Sequence, residues 1–396
     1  MSSIKGRMVG GAICCLLSAL SSAPATAQAS GNVGSIVADL YGGNGLLIPG
    51  SAPGHIGHFQ SSSREVLNDL SNVIAGNIGV ISYGSTVGAV TYDIEEGVPV
   101  RSQQSLGPIV AERATTIGAG RFDLGVSYTY VNYSRLNGVS LSNQSIILTH
   151  AQETGAEYEK DIVRLDININ LKQHILAFAG AYGVTDNLDV AAIVPLVHNE
   201  GSASAVATII PFSPATVGFH QFVRESDRFS ETKADATGIG DVLLRAKWEP
   251  INSSKLALAL LTQFSLPTGD EKDLLGAGSF SWYGGGIAST SFGKFNPHLN
   301  LGYEHFFNQD NLAGTDHSNI RGALGFDIAV RQNISFATDV LARWRDDGEK
   351  YYDLAVGARW APTPSLPLAA NIVVPLNRNE GLRPDIYFTL GLETTF

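Results

Sequence analysis

The sequence predicts an all-β fold: a closed antiparallel transmembrane up-and-down β-barrel of about twelve strands, preceded by an N-terminal segment with a short helix. Three observations predict it. From about residue 120 onward apolar and polar residues alternate with a period of two, the mark of strands with two unlike faces. The connections between these strands alternate long and short. Tryptophans fall at the strand ends, on or near the apolar face, as aromatic girdles do at membrane interfaces.

Residues 1–29 read as a secretory signal peptide. Lys5 and Arg7 form a basic start, "MVGGAICCLLSAL" is an apolar run, and "APATAQAS" offers cleavage after Ala27 or Ala29. Both cysteines, Cys14 and Cys15, lie in that run, so disulfides and thiolate catalysis are excluded from the mature chain. Ile13 before Cys14 argues against lipidation. Loss of the two cations takes the net charge from −11 to −13. That balance excludes nucleic acid as a partner, because phosphate binding needs clustered Lys and Arg. Beyond the signal no run approaches the ~20 apolar residues of a membrane-spanning helix.

Residues 30–112 depart from the alternation and are expected to form a plug in the lumen or a pad at the periplasmic mouth. "SSSREVLNDLSNVIAG" predicts a short helix with Ser62 and Glu65 at capping-box spacing, Val66, Leu67, Leu70, Val73 and Ile74 on one face, and Gly76 as a stop. "AVTYDIEEGVPVRS" predicts a hairpin over 87–103; were it to join the wall, the strand count would be fourteen. "GGNG" lacks the Lys-Ser/Thr of a phosphate loop, so a flexible lead-in is the better reading.

The barrel is expected over residues 113–396, with strands at 120–134, 161–182, 187–198, 237–249, 255–266, 280–291, 295–307, 319–330, 333–345, 350–361, 367–376 and 384–396. In "GRFDLGVSYTY" Phe122, Leu124, Val126, Tyr128 and Tyr130 oppose Asp123, Ser127 and Thr129. The phase slips near Gln173–His174, where a bulge is expected. The apolar faces are assigned to lipid. Tyr128, Tyr130, Trp248, Trp282, Trp344, Trp360 and Phe396 are assigned to the membrane interfaces, and the terminal aromatic reads as the insertion signal of bacterial outer-membrane barrels. The polar faces are assigned to the lumen: Arg164, Asp166, Asn168, Asn170, Lys172, Arg245, Lys247, Arg321, Asp327, Asp339, Arg343, Asp353 and Arg359. These side chains either pair across the barrel or border a polar path. Residues 199–236 are expected to be an external loop that folds over the mouth. In lipid a sheet survives only by closing on itself.

No catalytic constellation emerges. None of the nine histidines falls in an H-E-x-x-H spacing; His55 and His58 are three apart, but one pair is short of the three or four ligands of a metal centre, so they read as solvated. No cofactor, metal or enzymatic activity is expected.

"GPIVAERATTIGAGRFDLGVSYTYVNYSRLNG" (107–138), "LDVAAIVPLV" (188–197), "TGIGDVLLRAKW" (237–248) and "LPTGDEKDLLGAGSFSW" (266–282) are similar to a family of outer-membrane β-barrel proteins assigned to transport in the phenol meta-cleavage degradation pathway. The family's T-G-x-G-D before one strand and L-P-T-G-D after the next are both present, in order, and the match covers roughly 107–396. The resemblance implies permeation of small, aromatic or hydrophobic molecules across the outer membrane, and offers no catalytic residues. The expected function is passive uptake of such a solute by an integral protein of the bacterial outer membrane. The alternative is a structural or surface-binding barrel with an occluded lumen. Expected partners are outer-membrane lipid and lipopolysaccharide, the barrel-assembly machinery through the C-terminal strand, and the solute.

Overall fold

The computed structural model describes residues 31–78, 105–150, 157–253, 255–307, 317–363 and 366–396, together with two short strands between 92 and 101. The expected signal peptide lies outside the described residues. A helix, α1 (Gln60–Asn77), comes first. The strands follow in chain order: β1 (Tyr92–Glu95), β2 (Val98–Arg101), β3 (Phe122–Leu136), β4 (Val139–Ser140), β5 (Gln144–Leu148), β6 (Ile162–Thr185), β7 (Leu188–Ile210), β8 (Phe229–Ile239), β9 (Val242–Asn252), β10 (Ala257–Leu266), β11 (Phe280–Ser289), β12 (Phe295–Phe307), β13 (His317–Arg331), β14 (Ile334–Arg345), β15 (Lys350–Thr363), β16 (Leu366–Pro375) and β17 (Leu382–Thr395).

Twelve strand positions close the wall. Each strand pairs antiparallel with the next, β8 and β9 run in line along β7, and β3 completes the ring by pairing with β17 on one side and β6 on the other. At the seam Phe122 and Phe396 exchange backbone hydrogen bonds of 3.2 and 2.8 Å. β1 and β2 form a separate two-stranded sheet, so the hairpin is present but does not join the wall.

An apolar row runs round the outside, including Leu124, Phe178, Leu260, Leu301 (55% exposed), Leu324 (61%), Val340, Ile372 and Leu390 (52%). Trp248, Trp360 and Phe396 project outward near the end of the barrel that carries the short β6–β7 turn; Trp282 projects outward near the other end. A closed sheet whose outer side is apolar satisfies every ladder hydrogen bond without water, which is what hydrocarbon demands. The molecule is an integral outer-membrane barrel.

β6 and β7 are far longer than a membrane requires, at 24 and 23 residues. From Val163 to Gly183 the odd-numbered residues of β6 face inward, and its pairing with β3 and β7 continues unbroken through Gln173 and His174. The expected bulge there is therefore absent. What changes is the medium outside. Below His174 the outward row is Leu176, Phe178 and Tyr182; above it the row is Arg164, Asp166, Asn168, Asn170 and Lys172. These five residues, expected in the lumen, point away from it: the first four are exposed, and Arg164 pairs with Asp166 at 3.0 Å. The inward row over the same stretch is Val163, Leu165, Ile167, Ile169 and Leu171, all buried. Roughly 30 Å of strand at ~3.3 Å per residue thus stands in water, with the ordinary polarity of a soluble sheet.

The stretch expected as loop 199–236 largely belongs to this extension. β7 runs on to Ile210 and β8 begins at Phe229, leaving a loop of 211–228. Alternation is hard to see there because the inward positions are small: Ala203, Ala205, Ala207 and Ala234 are buried. Small residues are needed because the N-terminal segment packs on that face. A Cβ added at Gly201 would lie 2.9 Å from Ile36 and 3.1 Å from Val33. Val33, Ile36, Val37, Leu40, Leu46, Ile48, Phe59, Leu67 and Ile74 are all buried.

α1 differs from expectation at its start. Phe59, not Ser62, is the N-cap, with no side-chain cap; Ser63 instead accepts a hydrogen bond from the Leu46 N–H at 2.9 Å. Gly76 lies inside the helix, and the buried face runs through Ser63, Leu67, Ser71, Ile74 and Asn77, leaving Val73 exposed.

The two media outside the wall make opposite predictions for the same chemistry. Leu324→Arg, in the lipid-facing row, should destabilise the barrel by about 2–4 kcal/mol. Asn168→Arg, on the outer face of the extension, should change stability by less than about 0.5 kcal/mol. Urea unfolding in phospholipid vesicles, followed by the loss of heat-modifiable mobility in SDS gels, measures both.

Candidate functional site

The candidate site is the lumen, and its contents are set by how the chain enters the wall. Residues 105–117 form a belt along the inner wall, and inward polar groups of successive strands hold its backbone. From its start, Leu106 donates to Ser335 of β14 at 2.9 Å, and the Pro108 carbonyl accepts from Arg359 of β15 at 2.9 Å. Val110 and Ala111 donate to Asp339 of β14 at 2.9 and 3.1 Å. Glu112 and Asn300 of β12 exchange two bonds of 2.7 and 2.9 Å. Ala114 donates to Ser289 of β11, Thr116 to Glu249 of β9, and Ile117 to Asp189 of β7, each at 3.0–3.1 Å. A backbone lying against a wall must find partners for its N–H groups, and here carboxylates and hydroxyls supply them.

Side-chain charges close the same arrangement. Arg113 reaches both oxygens of Asp327 at 3.0 and 2.9 Å, and Asn296 also donates to Asp327 at 2.8 Å. His298 bonds Asp339 at 2.6 Å, Arg359 pairs with Glu393 at 3.0 Å, and Arg245 pairs with Glu112 at 2.7 Å. Lys247 lies 4.0 Å from Asp189 and 3.5 Å from the Arg113 carbonyl. Arg321 pairs with Glu304 at 3.0 Å, and Arg383 with Asp353. Of the residues expected in the lumen, Arg245, Lys247, Arg321, Asp327, Asp339, Arg343, Asp353 and Arg359 all turn inward. Most hold the belt or one another instead of bordering an open water path.

A second element narrows the lumen from another side. The loop 267–279 folds inward through the two motifs singled out in the sequence. Thr268 of "LPTGD" donates to the Gly240 carbonyl of "TGIGD" at 2.6 Å and accepts from the Val242 N–H at 3.0 Å. Asp241 accepts from Gly269 and Ala277 at 3.0 and 2.7 Å. A Cβ at Gly276 would meet Asp241 at 2.2 Å, so only glycine fits that clasp. The clasp turns Leu274 and Leu275 inward, where both are buried; Leu274 adopts a left-handed φ of +57°. Asn199 holds the carbonyls of Asp273 and Leu274 at 2.9 and 2.8 Å, and the Val33 and Gly34 N–H groups also bond this loop. The motifs are therefore structural: they fix a constriction.

Between belt and loop lies a cavity of about 200 Å³. Ile193, Leu243, Leu261, Leu274, Leu275, Ile287 and Leu341 line it with apolar surface, and Glu112, Arg245, Glu304, Arg321 and Arg343 contribute charge. Tyr283 lies flat on the wall, its ring crossing Gly285 and Gly302; a Cβ at Gly302 would sit 2.5 Å from it. The Arg321 guanidinium covers the same ring at 5.3 Å.

Outside the membrane span a further cluster forms. His55 and His58, expected to be solvated, meet His150 and His220 from two external loops. Their spacing could not reveal this, because His150 and His220 are distant in sequence. Burial pushes the His58 ring below the usual histidine pKa, with His150 and His55 adding to the effect; burial lowers His220 as well, against an opposing bond to Asp161.

The belt's attachment is testable at its most buried ion pair. Asp327→Ala removes the bidentate carboxylate from the buried Arg113 guanidinium and should destabilise the protein by about 3–5 kcal/mol, most of which the double change Arg113→Met/Asp327→Ala restores. Urea midpoints of the folded barrel in micelles provide the cycle; an Asp327→Ala effect below about 1 kcal/mol contradicts the anchoring role.

Compared with solved structures, the chain is similar to the COG4313 outer membrane channel from Pseudomonas putida F1, at 15% identity over 72% of this chain and 98% of that one, with a TM-score of 0.47. It is also similar to the Ralstonia pickettii toluene transporter TbuX, at 10% identity over 72% and 92% of the two chains, TM-score 0.36. A third likeness is to the P. putida toluene transporter TodX, at 9% identity over 70% and 89%, TM-score 0.32. The family described as "Putative MetA-pathway of phenol degradation" matches residues 160–389, more than half of the chain and most of the wall. This barrel, with its clasped inward loop, belongs to that family.

Proposed function

We propose that the protein is an outer-membrane channel that passes a small, largely apolar solute, such as a single-ring aromatic, by passive diffusion. The observation that carries this reading is the cavity between belt and loop. Its volume of about 200 Å³ suits one ring with a polar substituent, given that a cavity of ~150 Å³ holds benzene. Apolar walls favour the ring, and the polar ends of the Arg245–Glu112 and Arg321–Glu304 pairs can meet a hydroxyl. Phe212, Val217 and Val223, exposed on the loop 211–228, offer an apolar landing surface at the outer end.

No energy source enters this scheme. The solute moves down its gradient, and the leucines of the inward loop and the belt set the resistance. The reading assigns no catalysis to the chain. A structural barrel with a closed lumen is the second reading, and the belt's dense bonding to the wall favours it. Transport through the lumen requires that the remaining gap, or a small shift of loop or belt, admit the solute.

The two readings separate in liposomes. Proteoliposomes should admit phenol faster than protein-free vesicles while excluding sucrose. Leu274→Gly removes a buried side chain from the constriction at a position whose backbone suits glycine, and should raise phenol flux several-fold. If neither the native protein nor Leu274→Gly admits phenol above the background, the channel reading is wrong.

A further inference from the structure

Four imidazoles from three separate parts of the chain converge above the membrane. His55 and His58 belong to the N-terminal segment just ahead of α1, His150 follows β5, and His220 sits in the loop 211–228. One ring nitrogen from each lies within 4.8 Å of the corresponding nitrogen of every other. His58 Nδ1 is 3.2 Å from His55 Nδ1 and also bonds His150 Nε2. A ring nitrogen has one in-plane position, filled by either a proton or a lone pair. One nitrogen turned toward two others is better satisfied by a shared cation than by protons alone.

His220 supplies the strongest sign. It is 3% exposed, and its Nε2 is buried with no hydrogen-bond partner, while its Nδ1 lies 3.0 Å from Asp161. Asp161 is itself 1% exposed and held by the Phe212 N–H at 2.8 Å. A carboxylate on one ring nitrogen fixes the tautomer and leaves the lone pair on the other, the usual arrangement behind a metal-bound histidine. Phe59 packs against both His150 and His220, with ring centroids 5.6 and 5.4 Å away, and shields the cluster.

We propose that His55, His58, His150 and His220 form a binding site for one divalent transition-metal ion, best suited to Zn²⁺, with Asp161 orienting His220. Four imidazoles suit Zn²⁺ in tetrahedral geometry, where nitrogens ~2.0–2.1 Å from the ion are roughly 3.3 Å apart. The four nitrogens, all within 4.8 Å of one another, already lie within about 1.5 Å of that spacing. The ion would staple the N-terminal segment to two external loops. The same elements already touch through the Ala52 N–H bond to the Phe219 carbonyl at 2.8 Å. This assignment does not depend on solute passage.

The test uses the full folded chain in detergent micelles, stripped with EDTA and titrated with Zn²⁺ by calorimetry, with Co²⁺ as a spectroscopic substitute. One Zn²⁺ per chain should bind, and Co²⁺ should give the intense visible absorption of a tetrahedral site. His220→Ala should weaken Zn²⁺ binding on the order of 100-fold, and Asp161→Asn by about 10-fold or more. His317→Ala, in the separate cluster that His317 forms with Asp346 and Asp347, should leave binding at the four-histidine site unchanged. Should His220→Ala fold poorly, the half-buried His55→Gln serves in its place, with heat-modifiable gel mobility reporting the intact barrel. Absence of stoichiometric Zn²⁺ binding overturns the proposal, as does binding that both folded variants leave intact.

Discussion

A peptide group in hydrocarbon has no water to bond, so the wall of this protein exists only because its ladder closes. The β3–β17 and β3–β6 pairings complete the ring, and every other feature is arranged inside or above it. Closure fixes which face of each strand is outside, but not what the outside is. Along β6 a continuous ladder passes from lipid into water, and the outward row changes from Leu176 and Phe178 to Lys172 and Asn170 within a few residues. The inward row must then be covered on both levels: by an apolar N-terminal segment above, and by a polar belt below.

That division accounts for the unlike chemistry of the two levels. In the extension, Val33 and Ile36 pack against Gly201 of β7, and the inward row Val163–Leu171 is buried as the core face of a soluble sheet would be. Within the barrel the lining is ionic, and the belt brings backbone N–H groups and Arg113 to meet it. Buried charges of this kind are tolerable only when paired and hydrogen-bonded. Asp327, Asp339 and Arg359 each satisfy that condition through residues 105–117 or their neighbours. The inward loop adds a third layer, and its two motifs act by clasping each other through Thr268 and Asp241.

Much of the wall was legible in the sequence, because period-two alternation survives wherever the two faces meet different media. The strands from β9 to β17, apart from the weakly alternating β11, and the inward set from Arg245 to Arg359 are readable for that reason. The alternation alone does not say which face is wet. Arg164–Lys172 were therefore assigned to the lumen, although there the water is outside. Likewise "EGSASAVATII" hid the upper half of β7, since close packing demands Ala and Gly, which carry little polarity contrast. The belt's anchoring and the four-histidine cluster were illegible for another reason. They depend on residues far apart in sequence that only the closed wall brings together.

One uninterrupted strand, β6, passes from lipid to water with its inward face constant. Spin labels placed singly along β6 test it most directly, since both native cysteines lie at positions 14 and 15, within the expected signal peptide. Labels at 164, 166, 168 and 170 should relax with a water-soluble nickel chelate, labels at 176, 178 and 182 with oxygen dissolved in lipid, and labels at 165, 167 and 169 with neither. Oxygen-dominated relaxation at 166 to 170, or chelate access at the odd positions, would contradict the account.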